Sequence, residues 1–304
     1  MHEFELFLHE AVAAGTVLLY ATLGEILAER SGVINLGIEG IMLLGAVSAF
    51  AVSIATGSVP LSVLVAFALG CLIGIIHGVA CISLRGNQIV SGLALAMFCA
   101  GVSSIIGKNY VGIPPKVVLA PIEIPLLSKI PIIGYSFFNQ NPLVYVAYVT
   151  SVLLWLLLFK TKVGIAIRAC GDNPSAAEAM GINVHLYRYF CTVLGAGLAA
   201  VGGAYLTLAY TPFWVEGITA GRGWIALALV ILSTWNPIRA LLACYFFGFC
   251  EISQYWLQTI GLNPYLLGTI PYIATILLIT VIHVEKLRKI IGAPSALGKP
   301  YPED

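Results

Sequence analysis

Apolar runs of about twenty residues, parted by short polar stretches, repeat from one end of the chain to the other. They fall at 9–28, 33–55, 61–83, 89–106, 143–159, 187–209, 219–235, 240–257 and 266–283. At ~1.5 Å per residue, a helix over any of them spans or nearly spans a bilayer's hydrocarbon core. The pattern predicts an all-α polytopic membrane protein of about nine transmembrane helices, some interrupted. No linker divides it, so 1–304 reads as one transmembrane domain.

Two stretches break the pattern. Segment 107–142 holds Pro114, Pro115, Pro121, Pro125, Pro131 and Pro142, so no single regular helix can run through it. Its IEIPLL run reads as extended or as lying at the membrane interface. The other is 168–183, the longest polar interruption with helix punctuation. Asp172 or Asn173 can cap a helix with a side-chain oxygen. Pro174 suits the first helical position, Ser175 and Glu178 have capping-box spacing, and Gly181 suits a left-handed C-terminal cap. The expected product is a helix of about two turns with the small Ala176 and Ala177 on its surface. Held in water between two spans, it offers a partner something to grip.

Composition sharpens this. The chain is 60% hydrophobic and 10% charged, whereas soluble domains run to about a quarter charged. A net charge of +1 gives no sign of a nucleic-acid partner. Placing the 160–188 loop in the cytoplasm puts eleven of the fifteen Lys and Arg inside: Arg30, Arg85, Lys160, Lys162, Arg168, Arg188, Arg239, Lys286, Arg288, Lys289 and Lys299. Four fall outside, namely Lys108, Lys116, Lys129 and Arg222. The positive-inside rule then sets the N-terminus outside, the C-terminus inside and the Pro-rich 107–142 loop outside. That loop can dock a substrate-delivering protein or simply cover the pore mouth. Glu3, Glu5 and Glu10 replace the basic region of a cleavable signal, so the first run reads as a retained span. The tail from 293 onward is expected to be poorly ordered. Seven cysteines without a CxxC pair read as small buried hydrophobes, and five scattered His give no metal cluster.

Two spans carry unusual interruptions. Asn35 and Glu39 sit among Gly32, Gly37 and Gly40. A helix broken there exposes backbone groups that are tolerated at depth only along a cavity or inside protein. Glu39 either lines such a cavity or is solvated at the inner interface near Arg30. A similar run, AGRGWIALAL at 220–229, sets Arg222 opposite Glu39 and Gly223 opposite Gly40. Paired Gly-interrupted segments point to a transport site. Simple topology puts the two charges on opposite sides unless one segment is re-entrant. Asn87, Gln88 and Ser91 open the fourth span and either bond a polar solute or cap the helix. Glu25 and His77 are expected to bond a neighbouring backbone. Trp214 and Trp224 are interface anchors or stacking faces.

Four stretches together carry a family resemblance: LGEILAERSGVINLGIEGIM at 23–42, NQIVSGLAL at 87–95, GDNPSAAEAMGIN at 171–183 and AGRGWIALAL at 220–229. Along nearly its whole length the chain resembles ABC importer permeases of the ribose, branched-chain amino acid and nucleoside group, above all the nucleoside and simple-sugar permeases. The resemblance implies a pore of two such subunits, identical or related, in the bacterial inner membrane. It further implies two cytoplasmic ATPase subunits holding ATP and Mg, and an extracytoplasmic binding protein that delivers the solute. Residues 172–181, with Gly171, would be the coupling helix seated in an ATPase cleft. Segments 32–40 and 220–224 would flank the path, with Asn35, Glu39, Asn87, Gln88, Ser91, Arg222 and Trp224 as substrate-path candidates. Nucleosides, riboflavin and sugars are the solutes implied, and ten spans are often expected.

No Gly-x-x-x-x-Gly-Lys-Ser/Thr occurs in the chain, so ATP chemistry falls to a partner and this chain is no enzyme and needs no cofactor. Glu178 can pair with a basic ATPase group, cap its own turn, or both. An ion-coupled transporter would carry more acids in its spans than Glu10, Glu25, Glu39 and Glu251. An intramembrane enzyme finds no support in two Asp, Asp172 and Asp304, both outside the spans.

Overall fold

A computed structural model describes residues 2–128, 130–131, 133–258, 263–282 and 292–301. The charges assigned to Lys129, Lys286, Arg288 and Lys289 lie outside the described residues. The elements in order are α1 (His2–Arg30), α2 (Ile38–Thr56), α3 (Val59–Gly78) with a π-helical turn (Val79–Ser83), and α4 (Gln88–Gly107). Next come β1 (Ile122–Glu123), α5 (Ile133–Phe138), β2 (Asn139–Gln140), α6 (Pro142–Lys160), α7 (Lys162–Asp172) and α8 (Pro174–Ala179). The chain ends with α9 (Val184–Tyr205) and its π-helical turn (Leu206–Tyr210), α10 (Arg222–Leu232), α11 (Pro237–Gln258), α12 (Pro264–Leu267) and α13 (Ile270–Ile282).

Among the described residues, 6 helices are long and apolar enough to cross a membrane: α1, α2, α3, α4, α6 and α9, two of them with their π-helical turns. The expected nine differ in the last third of the chain. Run 219–235 yields only the 11 residues of α10, about 16 Å of helix and half a bilayer. The reason is local: Gly217, Ala220 and Gly221 all have positive φ and turn the chain back before α10 begins. Run 266–283 is interrupted between α12 and α13. The 107–142 segment is irregular, and its IEIPLL run is extended at its start, where β1 pairs antiparallel with β2.

α9 is the hub. The four glycines of its GAGLAAVGG run meet three helices: Gly195 and Gly202 face Gly24 and Tyr20 of α1, Gly197 faces Phe67 and Cys71 of α3, and Gly203 faces the Met42 carbonyl of α2. Lipid gives helices no hydrophobic reason to pair, so close backbone approach supplies van der Waals contact instead. The contacts fix directions. Along α9, Arg188, Gly195, Gly202 and Tyr205 meet Gly32, Gly24, Tyr20 and Ala13 in turn, so α1 and α9 are antiparallel. The same end of the molecule collects Arg30, Arg168, Arg188 and Lys299, as Arg30 and Arg168 both lie over the Phe159 ring and Arg188 bonds the Lys299 carbonyl.

The tail corrects its expectation. Residues 292–301 are laid against this same end, with Pro294, Ala296 and Tyr301 buried. Backbone bonds run from Ala296 N–H to the Gly171 carbonyl (2.9 Å) and from Gly298 N–H to the Gly32 carbonyl (3.1 Å). Proline, glycine and charge looked like disorder, but here they let the segment follow a groove.

Candidate functional site

The site begins with the break between α1 and α2. Residues 31–37 form no helix, and side chains from three helices take up their backbone groups. Glu25 Oε1 accepts from Asn35 N–H (2.8 Å), Gln88 Oε1 accepts from Ile34 N–H (2.8 Å), and His77 Nε2 meets the Ile34 carbonyl (2.9 Å). Asn35 Oδ1 accepts from Gly37 N–H at 2.9 Å. Buried backbone must be paired, and here polar residues that the sequence left ambiguous do the pairing. Glu25 and His77 bond neighbouring backbone, as expected. Ser91 holds His77 Nδ1 at 3.1 Å. Asn87 caps α4, accepting from Ile89 and Val90 N–H at 3.0 and 3.1 Å.

From the break α2 carries Glu39 to the start of α10. Glu39 Oε1 accepts from the Thr219 hydroxyl (2.5 Å) and Gly221 N–H (2.9 Å), and Oε2 accepts from Gly223 N–H (2.7 Å). A carboxylate thus caps the positive end of a half-helix, where free N–H groups and the helix dipole both favour negative charge. Glycine is required twice. Gly221 has φ +83°, and a Cβ on Gly223 would come within 2.5 Å of the Glu39 Cα. Thr22 Oγ1 donates to the Ala226 carbonyl (3.4 Å). Ala226 is therefore level with a point eight residues, about 12 Å, along α1 from Arg30. The α10 N-terminus lies about 6 Å deeper still, so the clasp sits about 18 Å along α1 from Arg30, while Gly32 stays at the Arg30 end, bonded to Gly298. Segment 211–221 brings the chain inward from the Tyr205 end to the head of α10, and α10 carries it on to Thr234 and Trp235 beside Arg30, so the α10 head lies within the bundle where Glu39 reaches it.

Arg222 does not meet Glu39. Its guanidinium turns to Glu251 of α11 at 2.7 Å, both side chains largely buried, and lies over the Tyr210 ring. Its expected place outside is corrected accordingly: it lies inside the bundle, at the head of α10. Among the described residues Arg222 Nε and Glu251 Oε2 are buried without a partner. Both line a cavity of about 300 Å³ with Gln254, Tyr255 and Tyr272. A second, about 410 Å³ and almost wholly apolar, adjoins it along Ile225, Phe247 and Tyr272, with Trp224 and Ile276 on its wall. Trp224 therefore presents a face beside the half-helix. Trp214 is neither anchor nor open stacking face. It is 1% exposed and packs where Gly107 leaves room for its indole.

At the end that gathers Arg30, Arg168 and Arg188, α7 and α8 form the 160–188 loop. Asn173 is the cap, its Oδ1 accepting from Ala176 N–H at 3.0 Å, and Asp172 ends α7. Pro174 takes the first position and Gly181 is left-handed, as expected. The Ser175–Glu178 capping box does not form, because Asn173 already fills the cap and the Glu178 carboxylate accepts from the Tyr301 hydroxyl instead. Ala177 is corrected too. It is 3% exposed and packs with Cys170, Val184 and Tyr301, while Ser175, Ala176 and Met180 face out, Met180 at 82%. Gly171 is buried, and a Cβ there would come within 2.3 Å of the Arg30 carbonyl oxygen and 3.2 Å of Pro294. Burial pushes the Cys170 thiol up from its ordinary range. Sequence reasoning missed Met180, Thr219 and Tyr301. Met180 was legible as an apolar residue before a helix-ending glycine, whereas Tyr301 gave no signal.

Comparison with known proteins bears on this geometry. The family described as "Branched-chain amino acid transport system / permease component" matches residues 7–282. A Haloferax volcanii permease provisionally named for glucose ABC transport is 36% identical, the match covering 97% of this chain and 96% of that protein. A nucleoside ABC transporter permease of Lactococcus lactis is 35% identical (94% and 93%), and a guanosine ABC transporter permease of Bacillus subtilis 34% identical (93% and 92%). No solved structure matches the chain.

Proposed function

The chain belongs to the branched-chain amino acid transport system / permease component family, and on that premise we propose that it is one pore-forming subunit of an ATP-driven nucleoside importer in a bacterial inner membrane. The observation that carries the solute class is the pair of adjoining cavities beside α10. Trp224, Phe247, Tyr255 and Tyr272 supply flat apolar faces, while Arg222, Glu251 and Gln254 supply donors and acceptors. A neutral, planar, hydrogen-bonding solute matches that wall: stacking holds the base and the polar groups read its edge. The relatives named for nucleosides and guanosine support the same class. A simple sugar is the second reading, supported by the relative named for glucose and by the same aromatic faces.

In the proposed cycle a binding protein delivers solute from outside to a pore of two permease subunits. Cytoplasmic ATPases with their ATP and Mg grip α8 through its exposed face, Ser175, Ala176 and Met180. Their closure moves α8 as a lever, and α6 and α9 on either side shift with it, exposing the central site to each side alternately. The site residues are divided accordingly: 171–181 for coupling, Arg222 and Trp224 for the path, and Asn35, Glu39, Asn87, Gln88 and Ser91 for holding the segments that form it.

Uptake of labelled guanosine, uridine, riboflavin and glucose by cells with and without the transporter tests the solute. Guanosine or uridine uptake that unlabelled nucleosides compete is expected. Glucose uptake untouched by nucleosides overturns the nucleoside reading. Coupling is tested by Met180→Asp with Ala176→Trp, both on the outward face. Lost uptake and lost ATPase stimulation in a correctly inserted chain are expected, and normal values for both refute the lever.

A further inference from the structure

Residues 292–301 touch almost every element that the proposed cycle must move. From one end, the Arg30 guanidinium donates to the Gly292 carbonyl (3.0 Å). Ala296 N–H holds Gly171 at the end of α7, and Gly298 N–H holds Gly32 in the break. The Lys299 carbonyl accepts from Arg188 of α9 (3.2 Å) and from the Gln88 amide of α4 (3.4 Å). The Tyr301 hydroxyl then donates to Glu178 of α8, its ring standing over Arg188 and against Ala177 and Cys170. Gly298 is left-handed, at φ +75°, and a Cβ there would meet Ile34 at 3.1 Å.

A segment that merely covered the inner surface would need apolar contacts to one neighbour. This one makes directional bonds at separated points, and they have an order. One end grips the coupling helix. The middle grips Gly32, two residues before Ile34, whose N–H and carbonyl are held by Gln88 and His77. Directly after the break α2 begins, and its first turn carries Glu39, the cap of α10.

We propose that residues 292–301 are a strap that transmits displacement of the coupling helix to the α1–α2 break, and through Glu39 to the half-helix beside the cavities, with Tyr301 as the residue that positions α8 on the strap. The covalent route from α8 runs out through α7 to α6 and through 180–183 to α9, which packs on α2 at Gly203 and bonds the Ser31 carbonyl through Arg188. The strap adds a second route, which ties α8 to the break at Gly32 without passing along α9. It rests on the coupling-helix reading above. Tyr301 acts through Glu178 and touches no solute. The hydroxyl is also held in its protonated, donating form, since the Glu178 carboxylate beside it raises its pKa.

The test uses the complete transporter in proteoliposomes, with its ATPases and binding protein, and labelled guanosine and glucose both offered. Tyr301→Phe keeps the ring on Arg188 and removes the bond to Glu178. Solute moved per ATP hydrolysed is expected to fall roughly tenfold, the weight of one hydrogen bond to a charged acceptor, with complex assembly and ATPase rate retained. Replacing 292–301 by a Gly/Ser segment of equal length is expected to uncouple the transporter further. In a background whose other six cysteines are replaced by serine or alanine, Cys170 is expected to become open to maleimide when the strap is replaced. An unchanged ratio of solute to ATP in the Gly/Ser variant overturns the proposal. So does a parallel loss of assembly and ATPase activity in Tyr301→Phe, which would make the strap a mere mooring for α8. Failure of the coupling-helix reading is seen separately, as intact ATPase stimulation in Met180→Asp with Ala176→Trp.

Discussion

The clasp between Glu39 and the head of α10 gives a sharp prediction through Glu39→Gln. The amide keeps its volume, and its oxygen can still accept from Thr219 and Gly221. Its NH2 group, however, comes to face Gly223 N–H, which now bonds Glu39 Oε2 at 2.7 Å. Two donors meet, a charge-assisted bond is lost, and an N–H is left unpaired away from water. At ~1.5–3 kcal/mol for a hydrogen bond to a charged group, plus the cost of the orphaned donor, the loss should be about 2–4 kcal/mol. For a chain of 304 residues, with an unfolding entropy near ~2.1 cal/mol/K per residue, that is a melting shift of about 3–6 °C. The assay is a thermal melt of detergent-solubilised protein followed by size-exclusion chromatography, beside an uptake measurement. Thr219→Val serves as the graded control. It removes one hydroxyl donor to the carboxylate and leaves both backbone bonds with no donor orphaned, so about 1.5 kcal/mol is expected, the low end for a bond to a charged group. The order should be wild type, Thr219→Val, Glu39→Gln. A Glu39→Gln protein that melts with wild type and transports normally would refute the carboxylate cap.

Two further predictions follow from the packing and the ion pair. Gly203→Ala places a methyl group against the Met42 carbonyl of α2. Backbone cannot swing aside as a side chain would, so α2 and α9 must part, and a loss at or above the ~1–3 kcal/mol of ordinary overpacking is expected in the same melt. Gly101→Ala, with nothing within 4 Å of the added carbon, should stay within about 0.5 kcal/mol, and equal effects at both positions would refute the hub role of α9. Glu251→Leu leaves the Arg222 guanidinium buried without its 2.7 Å partner and should cost about 3–5 kcal/mol, whereas Glu251→Leu with Arg222→Met should recover most of that stability. Uptake should stay low in the double variant, because the pair is also the polar wall of the cavity.

Much of this protein is legible in its sequence because bilayer physics is local. A run such as 61–83 has few alternatives to a spanning helix, since lipid forbids unpaired backbone, and the punctuation of 172–181 dictates a short capped helix wherever it sits. Glycine at 195, 197, 202 and 203 announces close helix approach before any partner is known. Hydropathy could not separate a span from a half-span. Run 219–235 is as apolar as its neighbours, and only its positive-φ entry and the Glu39 cap make it α10.

Pairing over long sequence distances was decided by the tertiary structure alone. Glu39 and Arg222 looked like opposites in a repeat, yet one caps a backbone and the other pairs with Glu251, because a carboxylate is drawn to the nearest free N–H groups and α11 offers Arg222 a closer acid. Ala177 looked exposed and is covered. Residues 292–301 had the composition of a frayed end and became a buried strap. Composition reports what a segment can do when left in water. Whether a groove lined with unsatisfied carbonyls, amides and a carboxylate awaits it depends on residues 100 or more positions away, at Glu178, Arg188, Gln88 and Gly32, and no local signal in the strap encodes them.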